Sequence, residues 1–363
     1  MFMEKELMDS GSYGENATWR REGHTLYIEG TGEMNAAPWR EISNYIEQVV
    51  IGEGITKIGG YAFDYCNGLT SITIPNSVTE IGDYAFWGCT NLTDINIPDS
   101  VTVIGESAFR DCTGLTSITI PDSVTEIGDY AFCECTNLTN INIPDSVTEI
   151  GASAFSDCTS LTDIVIPDSV TDIDKYTFSG CSSLTCITIP DSVAKIGKGA
   201  FQECTSLTSI TIPVSVTVID ECTFWRCFSL ASITIPDSVT EIGKRAFWEC
   251  HSLTSITIPD GVTEISTWAF GECSSLTRIT LPDSVTEIGE WAFWNCYNLT
   301  SIMIPDNVTQ IGWSAFNGCM NLSSVTIPDS VTEIDEDAFD WVPHIIYHGP
   351  AQSDNNWGAL SRN

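Results

Sequence analysis

The apolar positions of this chain fall into a phrase that recurs. In SVTEIGDYAFWGCTNLTDINIPD, residues 77–99, Val78, Ile81, Ala85, Phe86 and Cys89 keep a three-to-four spacing. That spacing predicts a short helical or 3-10 segment with one stripe turned inward. Leu92, Ile95 and Ile97 then shift toward alternation, which predicts a brief strand. Pro98-Asp99-Ser100 supplies turn chemistry, since proline fixes φ and aspartate can bond nearby backbone. Each phrase therefore predicts one strand and one helical segment.

The phrase returns every 23 residues, in twelve full repeats from Ile55 to Ser330 and a truncated thirteenth from Val331. Self-similarity at such a period predicts a solenoid. No repeat can bury its apolar face alone, so neighbours must stack, with strands in parallel about 5 Å apart. Phe63, Phe86, Phe109 and their counterparts through Phe339 then make an aromatic spine, and the Leu69, Ile72 and Ile74 columns fill the core behind the sheet.

Composition narrows the class. Lys+Arg total 14 against Asp+Glu 49, a net charge of −35, and the hydrophobic fraction of 42% is ample for a packed core. Such a field repels phosphate backbones and anionic headgroups, so neither nucleic acid nor bare membrane is expected as a partner. No stretch has the uninterrupted apolar run of a signal segment or membrane span, so the chain is expected to be soluble, without direct membrane insertion. Of fifteen cysteines, twelve, from Cys66 to Cys319, stand 23 apart. They are expected to form a ladder of buried, hydrophobe-like thiols rather than disulfides or metal ligands. Cys133, Cys186 and Cys222 lie off it.

The run from Leu92 to Cys112, L-x-x-I-x-I-P-x-x-V-x-x-I-G-x-x-A-F-x-x-C, resembles the BspA-type (Treponema-type) leucine-rich repeat, and the match covers about 80% of the chain. The segment from Asn16 to Trp39 resembles that family's N-terminal cap, and that from Val342 to Leu360 its C-terminal one. The resemblance implies an α/β repeat solenoid: a curved leucine-rich-repeat superhelix with a parallel sheet on the concave face, short helical or 3-10 segments on the convex face, and a cap at each end. The expected organisation is a flexible N-terminus over 1–15, a cap and first partial repeat over 16–54, twelve repeats over 55–330, and a truncated repeat with a C-terminal cap over 331–363. It also implies a binding or adhesion module, secreted or at a cell surface, that meets a protein or glycan ligand as a monomer. The alternative is a cytoplasmic protein-interaction scaffold, which would suit reduced thiols and the missing signal segment.

Catalysis finds little support, and no enzyme activity or cofactor is expected. The four histidines, His24, His251, His344 and His348, gather no third ligand or acid, so no metal site is expected. There is no nucleophile elbow, P-loop or dinucleotide glycine pattern. Two carboxylate columns, one through Asp99 and Asp122 at the turn and one through Glu80 and Glu126, stack like charges. They read either as a calcium rail or as turn formers on a solvated face, and the second is favoured.

Specificity is expected where repeats differ. Trp225, Trp248 and Trp294 follow the buried phenylalanine, Trp268 and Trp291 precede the alanine, and Trp313 sits one position earlier. Exposed aromatics bury large areas at small rotamer cost, so these six are the candidate ligand-binding residues. Arg245 shares the column of Trp268 and Trp291, within reach of a cation–π contact. Arg226 and Arg278 are the candidate polar contributors.

Overall fold

The computed structural model describes residues 10–13, 16–34, 37–353 and 355–362. It divides into two compact units, residues 1–170 and 171–363. In the first unit, strands β1 (Ser10–Tyr13), β2 (Ala17–Glu22) and β3 (Thr25–Gly30) are antiparallel. The chain then turns parallel, with β3 beside Gln48–Ile51 and that strand beside Ser71–Thr73. Of the expected flexible segment 1–15, residues 1–9 and 14–15 lie outside the described residues, and Ser10–Tyr13 is the strand β1.

Most repeats make two short strands rather than one; at Asn96, Val165, Thr188 and Ser301 the first is only an isolated bridge. The S-I-T segment pairs with its counterpart 23 residues on, as in Ser117↔Asn140 of the first unit and Ser209↔Ser232 of the second. The E-I segment builds a second parallel ladder. It has six strands in the first unit, from Gly32–Glu33 to Glu149–Ile150, and a four-strand run in the second, from Glu264–Ile265 to Glu333–Ile334. Parallel in-register pairing satisfies backbone groups that one repeat cannot satisfy by itself.

The expected helical segment is absent. Among the described residues the helical elements are two 3-10 turns, Arg40–Tyr45 and Asn356–Gly358, and the A-F-x-x-C stretches are stacked turns. The backbone shows why. Two residues per repeat, four apart, sit in the left-handed region, for example Tyr61 and Tyr65 (φ 58° and 52°) or Trp268 and Glu272 (φ 62° and 55°). A right-handed helix cannot run through them. Alternate amides leave their own repeat: Tyr61, Phe63 and Tyr65 donate to the carbonyls of Asp83, Ala85 and Trp87 at 3.0, 2.8 and 2.6 Å. The amides that alternate with them close local turns, as Ala62 does on Gly59 and, just past Tyr65, Cys66 on Phe63. A three-to-four apolar spacing has thus folded as a third inter-repeat ladder.

The expected core is present in each unit. In the first, Trp39 stacks on Phe63, and Phe63, Phe86, Phe109, Phe132 and Phe155 follow, with ring centroids 5.2 to 5.7 Å apart. In the second, the column from Phe178 to Phe339 keeps the same range. The serine of the P-D-S turn makes that turn's side-chain hydrogen bond: Ser100 donates to the Val78 carbonyl and Ser123 to that of Val101.

The ladder cysteines are buried and free. Cys89 Sγ donates to the Phe63 carbonyl at 3.1 Å, and Cys227 Sγ to that of Phe201 at 3.1 Å. Burial pushes the Cys66 and Cys319 thiols up to about 12, which holds them as poor nucleophiles. Only Cys186 of the fifteen is exposed. Ellman's reagent on the native protein is therefore expected to titrate about one thiol, and all fifteen in denaturant. Rapid reaction of several native thiols would mean that the turn ladder opens readily.

Candidate ligand-binding site

The second unit gathers five of the six candidate tryptophans into one contiguous ladder and sets the sixth against its side. Trp225 lies flat on Trp248 (5.2 Å, 1°), Trp248 tilts against Trp268 (5.3 Å, 41°), and Trp268 stacks on Trp291 (4.8 Å, 13°). Trp294 meets Trp268 edge-on at 5.3 Å, and Trp313 closes the run edge-on to Trp291 at 4.7 Å. The ladder changes column at Gly271, where the repeat lacks the tryptophan held at 248 and 294. A Cβ at Gly271 would stand 3.0 Å from Cε3 of Trp268, so the missing side chain makes room for that ring.

Stacking covers the faces of the inner rings. Trp313 is 42% exposed, and the other five are half-buried. Large neighbours extend the apolar character: Phe228 stacks on His251 at 5.1 Å, and Tyr297 and Met320 are exposed further along the same column. Residue type does not mark this column, and its signal in the sequence is the 23-residue spacing alone.

The arginines divide. Arg245 lies 5.5 Å from the Trp248 ring centroid, in its own repeat rather than over Trp268 or Trp291. Arg226 lies 5.0 Å from that of Trp225, but its guanidinium is held by Glu249 at 3.2 Å and Glu203 at 3.6 Å. Arg278 stands on the strand Arg278–Thr280, in register with Ser255 and Ser301, and so belongs to the strand face and not to the ladder. Trp225 Nε1 approaches Glu249 Oε1 at 3.5 Å, whereas Trp248 Nε1 is buried without an acceptor. Beside this network, burial and then the charge of Glu249 raise the Glu272 carboxyl, against the opposing pull of His251 and Arg226.

The remaining polar candidates stay apart. His344 Nδ1 is 2.8 Å from Ser361 Oγ, and the strand there is only Ile345–Ile346, so His344 and His348 flank it instead of sharing its face. Among the described residues no three His, Cys, Asp or Glu side chains converge to hold a metal ion. Among them, too, no helix is long and apolar enough to cross a membrane.

Comparison with known proteins agrees with this architecture. The family model described as BspA type leucine rich repeat region matches residues 41–135, 108–231 and 219–345. A leucine-rich repeat protein from Bacteroides ovatus is similar at 30% identity with a TM-score of 0.80, covering 92% of this chain and 93% of its own. A leucine rich cell surface protein from Faecalibacterium prausnitzii is 30% identical, with coverage of 97% and 94% and a TM-score of 0.57. A leucine-rich repeat protein from Eubacterium ventriosum is 26% identical, with coverage of 85% and 95% and a TM-score of 0.57. No curated protein matches.

Proposed function

Because this chain belongs to the BspA-type leucine-rich repeat family, we propose that it is a non-catalytic binding and adhesion module whose tryptophan ladder engages a protein or glycan ligand. The carrying observation is the ladder itself, Trp225 to Trp313, with an exposed terminal ring and five half-buried ones. A stacked array is rigid before binding, so a ligand meets aromatic area without the entropy of ordering it. Arg245 adds a cation at its margin, while Arg226 orients Trp225 and Glu249. Residues 16–54 supply a cap and a first partial repeat, and residues 331–363 a truncated repeat and a second cap, which protect the end strands from edge pairing. The cell-surface description of the Faecalibacterium prausnitzii relative supports display at a cell surface or secretion.

The test is an array of glycans and extracellular-matrix proteins, probed with wild type and with the Trp268→Ala, Trp291→Ala, Trp313→Ala triple variant. A ligand that the wild type holds is expected to bind the variant at least tenfold more weakly. Equal binding by a variant that melts like the wild type would return the ladder to packing. One observation favours the intracellular scaffold as a second reading: the exposed, free thiol of Cys186 suits a reducing compartment. Cleavage of the protein by protease applied to intact source cells would remove that reading.

A further inference from the structure

The first unit carries an aromatic cluster of its own. Tyr61 and Tyr65 both sit in the left-handed region and remain 45% and 44% exposed. Tyr61 lies flat on Tyr84, with centroids 4.7 Å apart and planes within 1°. Tyr65 covers Trp87 at 4.7 Å, and Tyr84 meets Trp87 at 5.7 Å, so the four rings form one platform. Gly88 clears space for it, since a Cβ there would come 2.7 Å from Cδ1 of Tyr65. Left-handed backbone strains an ordinary side chain more than glycine. The fold accepts glycine in the column of Tyr61, as Gly199 shows, and in the column of Tyr65, as Gly88 shows. Folding alone therefore does not call for two half-exposed tyrosines.

Two carboxylates stand beside Tyr84. The Tyr84 hydroxyl donates to Glu106 Oε1, and Asp83 Oδ1 takes the Glu106 amide at 3.0 Å. Aromatic faces carry negative quadrupole charge and attract the polarised C–H groups of a sugar ring. Carboxylate oxygens take the O–H donors at its edge.

Two magnitudes narrow the ligand. The net charge of −35 opposes sulfated, sialylated or phosphorylated ligands. Tyrosines of roughly 200 Å² each, exposed at 45% and 44%, offer about 180 Å² together, against the ~800 Å² per partner of a stable protein interface. That area suits one or two sugar rings. We propose that Tyr61, Tyr65, Tyr84 and Trp87 form a binding site for neutral pyranose units, with Glu106 and Asp83 accepting from sugar hydroxyls. It uses no residue of the tryptophan ladder, so it stands or falls separately.

The test is saturation-transfer NMR on the full chain with cellopentaose, maltopentaose, mannopentaose and chitopentaose, and a heparin oligosaccharide as the anionic control. The wild type is expected to bind at least one neutral oligosaccharide and not the heparin fragment. The Tyr61→Gly, Tyr65→Gly variant, which suits the left-handed backbone, is expected to bind at least tenfold more weakly, while the tryptophan-ladder triple variant binds normally. Should the glycine variant melt early, Tyr61→Leu, Tyr65→Leu retains apolar cover and is expected to show the same loss. The proposal is overturned if the wild type binds none of the neutral sugars at several millimolar. It is equally overturned if a tyrosine variant with a normal melt still binds them, or if loss follows the tryptophan substitutions instead.

Discussion

Phe201→Ala is expected to destabilise the second unit by about 3–5 kcal/mol, the range for deleting a fully buried phenylalanine. The ring is 0% exposed and lies between Phe178 at 5.6 Å and Phe224 at 5.7 Å, both near parallel to it. Collapse onto the vacated space is restricted on several sides. The Phe201 amide is tied to the Thr223 carbonyl at 3.0 Å, and its own carbonyl receives the Cys227 thiol at 3.1 Å. The neighbouring rings are fixed by the same ladder, so the void persists and costs more than the lost transfer energy alone. Because repeats couple mainly to their neighbours, the loss should also appear as an early, local transition in urea unfolding. Faster labelling of Cys204 and Cys227 should accompany it. A cost under about 1 kcal/mol would show that the column is more plastic than its parallel stacking implies.

The period, the spine and the thiol ladder were legible because each is a side-chain property repeated in register. The turn ladder was not, and the reason lies in residue identity. Its left-handed positions are held by tyrosine, serine, arginine and tryptophan more often than glycine, as at Tyr61, Ser107, Arg245 and Trp291. The usual glycine signal of positive φ is therefore missing, and Val78, Ile81, Ala85 and Phe86 read as a helical stripe. The second strand escaped because Glu80–Ile81 is only two residues long and exists through pairing with Lys57–Ile58 and Val103–Ile104. Spacing placed the tryptophans of the ladder together, since columns 23 apart must meet. It does not separate Arg278 from them, because a strand residue and a turn residue of one repeat belong to different ladders. The Tyr61 cluster carries no distinguishing signal, because tyrosine recurs in its column at Tyr84, Tyr130 and Tyr176.

Mild acidification is expected to stabilise the protein. Burial is the leading cause that raises the carboxyls of Glu272, Glu287, Asp111, Asp64 and Asp340. Neighbouring charge adds to it from Glu249 at Glu272, from Glu264 at Glu287, from Glu134 at Asp111 and from Asp337 at Asp340. At Asp64, Arg40 opposes it. A raised folded value means that the folded state takes its proton at higher pH than the unfolded chain. The resulting stability is fully present below the ordinary carboxylate range and is lost as pH rises through the raised values. The net charge of −35 acts in the same direction, since protonation relieves self-repulsion.

The melting midpoint should therefore rise by several degrees from pH 8 to pH 5, before solubility fails near the pI of about 4.1. High salt at pH 8 should recover the part due to long-range repulsion and leave the part due to burial. Glu272→Gln, which removes one half-buried charge, should raise the midpoint at pH 8 and flatten the slope. A midpoint that instead fell between pH 8 and pH 5 would mean that ion pairs dominate, such as Arg110–Glu134 at 2.7 Å or Arg226–Glu249 at 3.2 Å. Surface pairs contribute about 0–1 kcal/mol each, and few cations stand against 49 carboxylates, so acidification should win.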